Sequence, residues 1–235
     1  MCGRMTLRTS SAEIQRSLGL AAPPDWSPRY NLAPTQDVLA AIAEPSPGDR
    51  GGSPLCPVPL RAGRMRWGLI PAWAKEPSIG SRAINARAET IAEKPTFREA
   101  FKKRRCLIVA DGYYEWQANG KKKQPFHVRP EGGGLVLFAG LWERWRPPNE
   151  GDAPPWLTAV VVTRDAIDSL RVYHERMPVA LSPEACEAWL DPAATKADLL
   201  AAVASPGGVA WRAVPVSARV GNVANDDPDL LAAIG

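Results

Sequence analysis

The chain has 235 residues, 45% of them hydrophobic, enough for a sizeable core in one domain or two fused halves. Its net charge of +4 hides an asymmetry: residues 1–130 hold 21 Lys and Arg against 11 Asp and Glu, and residues 131–235 hold 8 against 14. No apolar run reaches the length of a membrane helix, and no apolar signal segment follows Met1-Cys2-Gly3-Arg4, so we expect no membrane partner and a cytoplasmic protein.

In chain order, residues 11–20 read as a short helix that Ser11 caps, with Ile14 and Leu18 on one face. Pro23, Pro24, Pro28 and Pro34 make residues 21–34 extended and turn-rich. Val38 to Ile42 reads as a strand, and residues 44–59, rich in Pro, Gly and Ser, as a surface loop. Met65 to Ile70 predicts another strand. Residues 87–105 read as helical, with Pro95 opening a second helix and Phe97 and Phe101 sharing a face. Cys106 to Ala110 is a short buried strand closed by Asp111-Gly112. Tyr113 to Trp116 continues as a strand, and Asn119-Gly120 turns a hairpin into Pro125–Val128. Leu135 to Leu141 and Leu157 to Thr163 add strands. Ser182-Pro183-Glu184 opens a helix, and Ala194 to Ala204 forms another. Residues 225–235 read as a loosely held tail. Strands outnumber helices and mostly form hairpins, which predicts an α+β fold with a mainly antiparallel core.

Cys2, Cys56, Cys106 and Cys186 are spaced too irregularly for metal-ligand pairs or a disulfide framework, so reduced thiols are expected. With only His127 and His174 as imidazoles, neither zinc nor another cofactor is expected. If the initiator methionine is removed, Cys2 carries an α-amine and a thiol on one residue. Both have usable reactive fractions near neutrality. The amine can form a Schiff base with an aldehyde, and the thiol can then close a five-membered ring on the same carbon. Glu115, in Asp111-Gly112-Tyr113-Tyr114-Glu115-Trp116, sits among aromatic neighbours that favour a raised pKa and a proton-shuttling role. His174 suits acid–base work, and Asn85 offers a donor and an acceptor. Taken singly, each has a structural reading as well: a salt-bridged Glu, a packed His, a turn Asn. The basic half is either a phosphate-binding face or ordinary solvated surface. Its candidates are Arg4, Arg29, Arg82, Arg87, Arg98 and the Lys102–Arg105 cluster. Trp67 is a candidate for stacking on an unpaired base, and Trp73 is read as core.

Together the segments Met1-Cys2-Gly3-Arg4, Arg29-Tyr30-Asn31-Leu32-Ala33-Pro34, Arg66-Trp67-Gly68-Leu69-Ile70-Pro71, Ile84-Asn85-Ala86-Arg87-Ala88-Glu89-Thr90, Asp111 to Trp116 and His174-Glu175-Arg176-Met177-Pro178, with shorter pieces running to Asn222-Val223, resemble the SRAP family of SOS response-associated peptidase-like proteins. The resemblance implies a single α+β domain over residues 1–235, with a barrel-like, mainly antiparallel β core flanked by helices. It also implies a basic DNA channel and shielding of abasic sites in single-stranded DNA through a thiazolidine on the N-terminal cysteine. Cys2, Asn85, Glu115 and His174 match the family's reactive positions. Arg4, Asn31, Trp67, Arg87, Arg29 and Arg98 are the DNA-contact candidates.

Two other readings stay open on the sequence: a cysteine or N-terminal-nucleophile peptidase, perhaps acting only on its own Met1, and a non-covalent single-strand binder. Weak strand-cleaving lyase activity is compatible with the aldehyde-trapping reading. A monomer is expected, with single-stranded DNA as partner, the nucleoid as its place in a bacterium, and the replication machinery as a possible further contact.

Overall fold

The computed structural model describes residues 2–45, 51–120, 122–148, 153–205 and 207–234. Strand β1 (Met5–Leu7) leads into helix α1 (Ser11–Leu18), then strands β2 (Arg29–Leu32), β3 (Asp37–Ala43), β4 (Leu60–Trp67) and β5 (Asn85–Arg87). Helix α2 (Arg98–Lys103) precedes β6 (Arg105–Ala110), β7 (Gly112–Asn119), β8 (Lys122–Pro130), β9 (Val136–Trp145) and β10 (Trp156–Asp165). The last third holds α3 (Asp168–Arg171), β11 (Arg176–Pro178), α4 (Pro183–Leu190), α5 (Lys196–Ala204) and β12 (Trp211–Pro215).

The strands form two sheets. In one, β10 pairs with both β4 and β9, so β4, β3, β6, β9 and β10 close into a five-stranded barrel. Every pair in that ring is antiparallel except the short β10–β4 contact. The other sheet runs β12-β8-β7-β1-β2, again antiparallel. The expected α+β class with a mainly antiparallel, barrel-like core is what the chain adopts. Closure of the ring leaves little free edge on those strands.

Strand β6 shows why the apolar run Cys106–Ala110 is unbroken: all six of its residues are buried. Cys106 O accepts from Trp189 Nε1 at 3.0 Å, placing α4 directly against the strand. Arg105, in the basic cluster read as a DNA contact, is buried too. Its guanidinium donates to the backbone carbonyls of Phe101, Lys102, Trp189 and Asp191. These carbonyls lie at the ends of α2 and α4, where a cation is favoured. Arg104 is held by Glu143 at 2.7 Å. Two of the cluster's four charges therefore serve the fold.

Several expectations need correction. Ser10, not Ser11, caps α1, and Ser11 donates to Pro24 O instead. The 87–105 helix shrinks to α2: Asn85–Arg87 is drawn into pairing with Val161–Thr163 of β10, and turns occupy the chain before Phe97. Strand β4 starts at Leu60, five residues before the predicted strand, because residues 60–64 continue the antiparallel pairing with β3, Leu60 lying opposite Ala43 and Arg64 opposite Leu39. In the 44–59 loop, residues 46–50 lie outside the described residues, but Cys56 is fully buried. The tail makes specific contacts: Leu230 is buried, Asp226 pairs with Arg29, and Val216 bridges Ala233.

The predicted β7–β8 hairpin is present, with Asn119 opposite Lys122 and Gly120 at φ 59. Gly112, read as closing β6, instead opens β7 beneath a buried imidazole. A Cβ there would lie 2.3 Å from His127 Nε2 and 3.0 Å from Val128 O. Gly112→Ala should therefore cost about 3 kcal/mol through overpacking, read as a lowered urea midpoint. An unchanged midpoint would mean that His127 can give way.

Candidate active site

Cys2 is fully buried although it is the second residue. The next strand explains this: Met5 pairs with Leu32 on one side and Tyr113 on the other, so β1 lies between β2 and β7. Asp111 pins the strand's far end. Its carboxylate accepts from Thr6 Oγ1 at 2.6 Å, from the Arg8 N–H at 2.7 Å and from the Thr9 N–H and Oγ1, both at 3.1 Å. Because the Thr6 proton goes to Asp111, the 3.1 Å contact between Thr6 Oγ1 and His127 Nε2 requires the imidazole to donate. Burial pushes His127 down to about 3, so the ring stays neutral.

Around Cys2 the structure gathers the other three predicted reactive residues. Asn85 opens β5, opposite Val161, and its Nδ2 donates to Cys2 O at 2.8 Å. Its buried Oδ1 has no hydrogen-bond partner among the described residues. Glu115 is almost completely buried on β7. Burial lifts its carboxyl from an ordinary value of 4.5 to about 7. Burial also raises the Cys2 thiol, and the charge of Glu115 raises it further. The resting thiol is therefore protonated.

His174 approaches between the two sheets. Gln117 on β7 donates to Val172 O at 3.3 Å, and Phe126 on β8 packs on Tyr173 at 4.5 Å between ring centroids. On the other side, Arg176 forks onto Glu89, two residues beyond Arg87, and donates to Thr163 O. His174 Nδ1 accepts the Arg176 N–H at 2.8 Å, which places the proton of the neutral ring on Nε2. Burial lowers its pKa, so the neutral ring prevails near pH 7.

The predicted DNA contacts divide. Arg87 and Arg98 are exposed. Arg4 is committed internally: its guanidinium donates to Asn31 Oδ1 at 2.8 Å, Val220 O at 2.6 Å and Gly221 O at 3.0 Å, and lies 6.0 Å from the Trp116 ring centroid. Asn31 is buried, with its amide donating to the carbonyls of Val220, Asn222 and Asn225. Arg29 pairs with Asp226 and donates to Gln36. Trp67 is fully buried, with Nε1 on Ile84 O at 2.9 Å, so it presents no face to a base. Trp73, read as core, is 61% exposed. The two tryptophans exchange roles because Trp67 ends β4 on its packed face, whereas Trp73 follows Pro71 in a turn.

Sequence reasoning missed the Asp111–Thr6–His127 tie and the Asp226 anchor. Thr6 and Thr9, close before a helix cap, were the available signal for the first. Thr35 was missed as well: it stands at φ 71, a strained position for a β-branched residue. Its N–H donates to Trp67 O at 2.8 Å.

The family model described as SOS response associated peptidase (SRAP) matches residues 1–223. The chain belongs to the SRAP family. It is 37% identical over 236 residues to the abasic site processing protein YoqW of Bacillus subtilis (strain 168), covering 98% of this chain and 99% of YoqW. It is 30% identical to the abasic site processing protein HMCES of Gallus gallus, covering all of this chain and 78% of that protein. In fold it resembles a protein from Bacteroides thetaiotaomicron, with TM-score 0.81, 24% identity and coverage of 99% and 100%. A phage-related protein from Bordetella bronchiseptica superposes with TM-score 0.64 at 29% identity, covering 91% and 94%.

Two outcomes follow from this SRAP site. Because Arg4 ties β1 to residues 220 and 221, Arg4→Ala should speed amide exchange across 220–225, while Arg87→Ala should not. Equal exchange in both would remove the tethering role. Glu115 binds its proton more tightly folded than unfolded. Its contribution to stability is thus complete below about pH 4.5 and lost as pH rises through about 7. Glu115→Gln should flatten that part of the stability–pH curve, and an identical slope from unfolding midpoints at pH 5 and 8 would contradict the assignment.

Proposed function

We propose that this chain processes abasic sites in single-stranded DNA by covalent capture through Cys2, once Met1 is removed. The observation that carries the reading is the junction of three features at one residue. A buried thiol at position 2 has its own carbonyl held by Asn85, beside a carboxyl lifted to about 7. The names of the relatives point to the same substrate.

The chemistry balances without a cofactor. Glu115, partly protonated near neutrality, donates a proton to the ring oxygen as the sugar opens to its C1′ aldehyde. The Cys2 amine adds to C1′, and the carbinolamine loses water to give a Schiff base: the nitrogen gives up a proton, the hydroxyl gains one and leaves as water, and His174 Nε2–H hydrogen-bonds to the departing oxygen. The Cys2 sulfur then adds to the imine carbon, its proton passes to the nitrogen, and a thiazolidine closes. Asn85 Oδ1, which has no hydrogen-bond partner among the described residues, accepts a hydrogen from the new amine and aims it at C1′. Because the thiol begins protonated, the amine attacks first. Amine and thiol on one residue make the second step intramolecular. Arg87 and Arg98 hold phosphates, and Trp73 replaces Trp67 as the stacking surface. Arg4, Asn31 and Arg29 act indirectly by fixing residues 218–226 against β1 and β2.

The same Schiff base permits β-elimination at the 3′ phosphate, which would appear as weak lyase activity. Self-removal of Met1 is the one peptidase activity this geometry requires, and an aminopeptidase serves equally well.

The deciding experiment mixes protein verified by mass to begin at Cys2 with single-stranded DNA carrying one abasic site, followed by boiling and a denaturing gel. A shifted band is expected with abasic DNA only. Cys2→Ala keeps the amine and should shift DNA only after borohydride reduction. Glu115→Gln should slow capture by about 100-fold, the scale of general acid catalysis, and should lose the fall in rate as pH rises through about 7. A boil-stable adduct from unreduced Cys2→Ala, or none from the verified parent, overturns the proposal.

A further inference from the structure

Away from Cys2, the barrel wall is incomplete between β4 and β10. These strands pair only at Thr158–Arg66 and Ala159–Trp67, so the early half of β4 stands away from β10. A groove of about 400 Å³ opens there, lined by Ile42, Arg61, Arg64, Trp142, Arg144 and Leu157 among others. A second depression shares Arg64 and Leu157 with it and adds Arg66 and Trp156. Arg66 lies over the Trp156 ring at 5.3 Å.

Most of the positive charge here has no acidic partner among the described residues. Arg61, Arg66 and Arg144 pair with no carboxylate among the described residues, in contrast to Arg29, Arg104 and Arg176. Arg64 shares an exposed contact with Asp25, and Asp37 is the acidic residue lining the second depression. Four guanidinium groups around exposed apolar and aromatic surface suit a chain of phosphates with intervening bases.

The groove's strand β4 is linked along the chain to the Cys2 site. Residues 68–84 connect β4 to Asn85 and carry the exposed Trp73. Next to it, Ala74 O accepts from Trp145 Nε1 at 2.7 Å, and Trp145 packs edge-on against Trp156 at 5.3 Å. A further depression at Thr35, Gly68, Gly80 and Ser81 reaches Arg66. Gly68 stands at φ 128, where a Cβ would meet Gly80 O at 2.5 Å, so this stretch is held close and narrow.

We propose that the arginine groove between β4 and β10 binds the DNA strand several nucleotides beyond the lesion, with Arg61, Arg64, Arg66 and Arg144 on its phosphates. The inference rests on single-stranded DNA being the ligand at Cys2. It adds that grip on the strand extends along one direction from the reactive residue.

The test uses an abasic analogue without an aldehyde, so binding is read separately from capture. Affinity is measured by fluorescence anisotropy for a short oligonucleotide centred on the analogue and for two long ones extended 5′ or 3′. Arg61→Gln/Arg144→Gln and, separately, Arg66→Gln are compared with the parent. Arg61 and Arg144 are exposed and Arg66 is half-buried over Trp156, and none of the three pairs with a carboxylate among the described residues, so their loss strands no buried charge. The double variant should lower the long-to-short affinity ratio about tenfold for one extension and reduce its log–log salt slope by about 1. Unchanged ratios for both extensions overturn the groove, and the site then belongs to a different acidic partner. Covalent capture of the short abasic oligonucleotide is scored in parallel, so loss of capture with an intact length effect would fault the Cys2 reading alone.

Discussion

The buried carboxylate of Asp111 is the constraint on which the reactive end depends. It accepts four hydrogen bonds from residues 6 to 9. By ending β1 at the junction of β6 and β7, it forces the three-residue strand into the middle of a sheet. A short strand at a chain end would otherwise fray. With β1 fixed, Cys2 has one place to lie, next to Asn85 from the barrel and Glu115 from the other sheet. His127, held neutral beneath Gly112, completes the tie from β8.

The site's reactivity and its burial work against each other, and the arrangement uses that opposition. Burial raises the thiol and the Glu115 carboxyl alike. A protonated thiol is a poor first nucleophile and is guarded against adventitious oxidation. A carboxyl near 7 can give a proton and take it back. In the proposed capture, the order of bond formation would follow from those protonation states rather than from any one residue's intrinsic chemistry.

The excess of basic residues in the first half of the chain looked like a single binding face. The structure spends much of it internally. Arg105 closes the ends of two helices, Arg104 neutralises Glu143, Arg4 holds residues 220 and 221, and Arg29 holds Asp226. Among the described residues, Arg61, Arg66, Arg82, Arg87, Arg98 and Arg144 are arginines that form no ion pair with a carboxylate and so remain for a ligand.

Local pattern carried the strands of the barrel, the β7–β8 hairpin, the cap at Ser182 and the ordered motifs that mark the family. Each of these depends on residues a few positions apart: alternation, a turn glycine, a side chain reaching its own helix. The sequence also determined the chemistry of the four candidate residues, since thiol, amide, acid and imidazole are written in the side chains of Cys2, Asn85, Glu115 and His174. Only tertiary structure decided which tryptophan faces solvent, which arginines are free, that residues 85–87 leave a helical pattern to pair with β10, and that residues 226–233 are tied in. Those outcomes turn on partners far away in the chain, whose pairing and desolvation energies exceed local propensity and leave no periodic trace near the residue they govern.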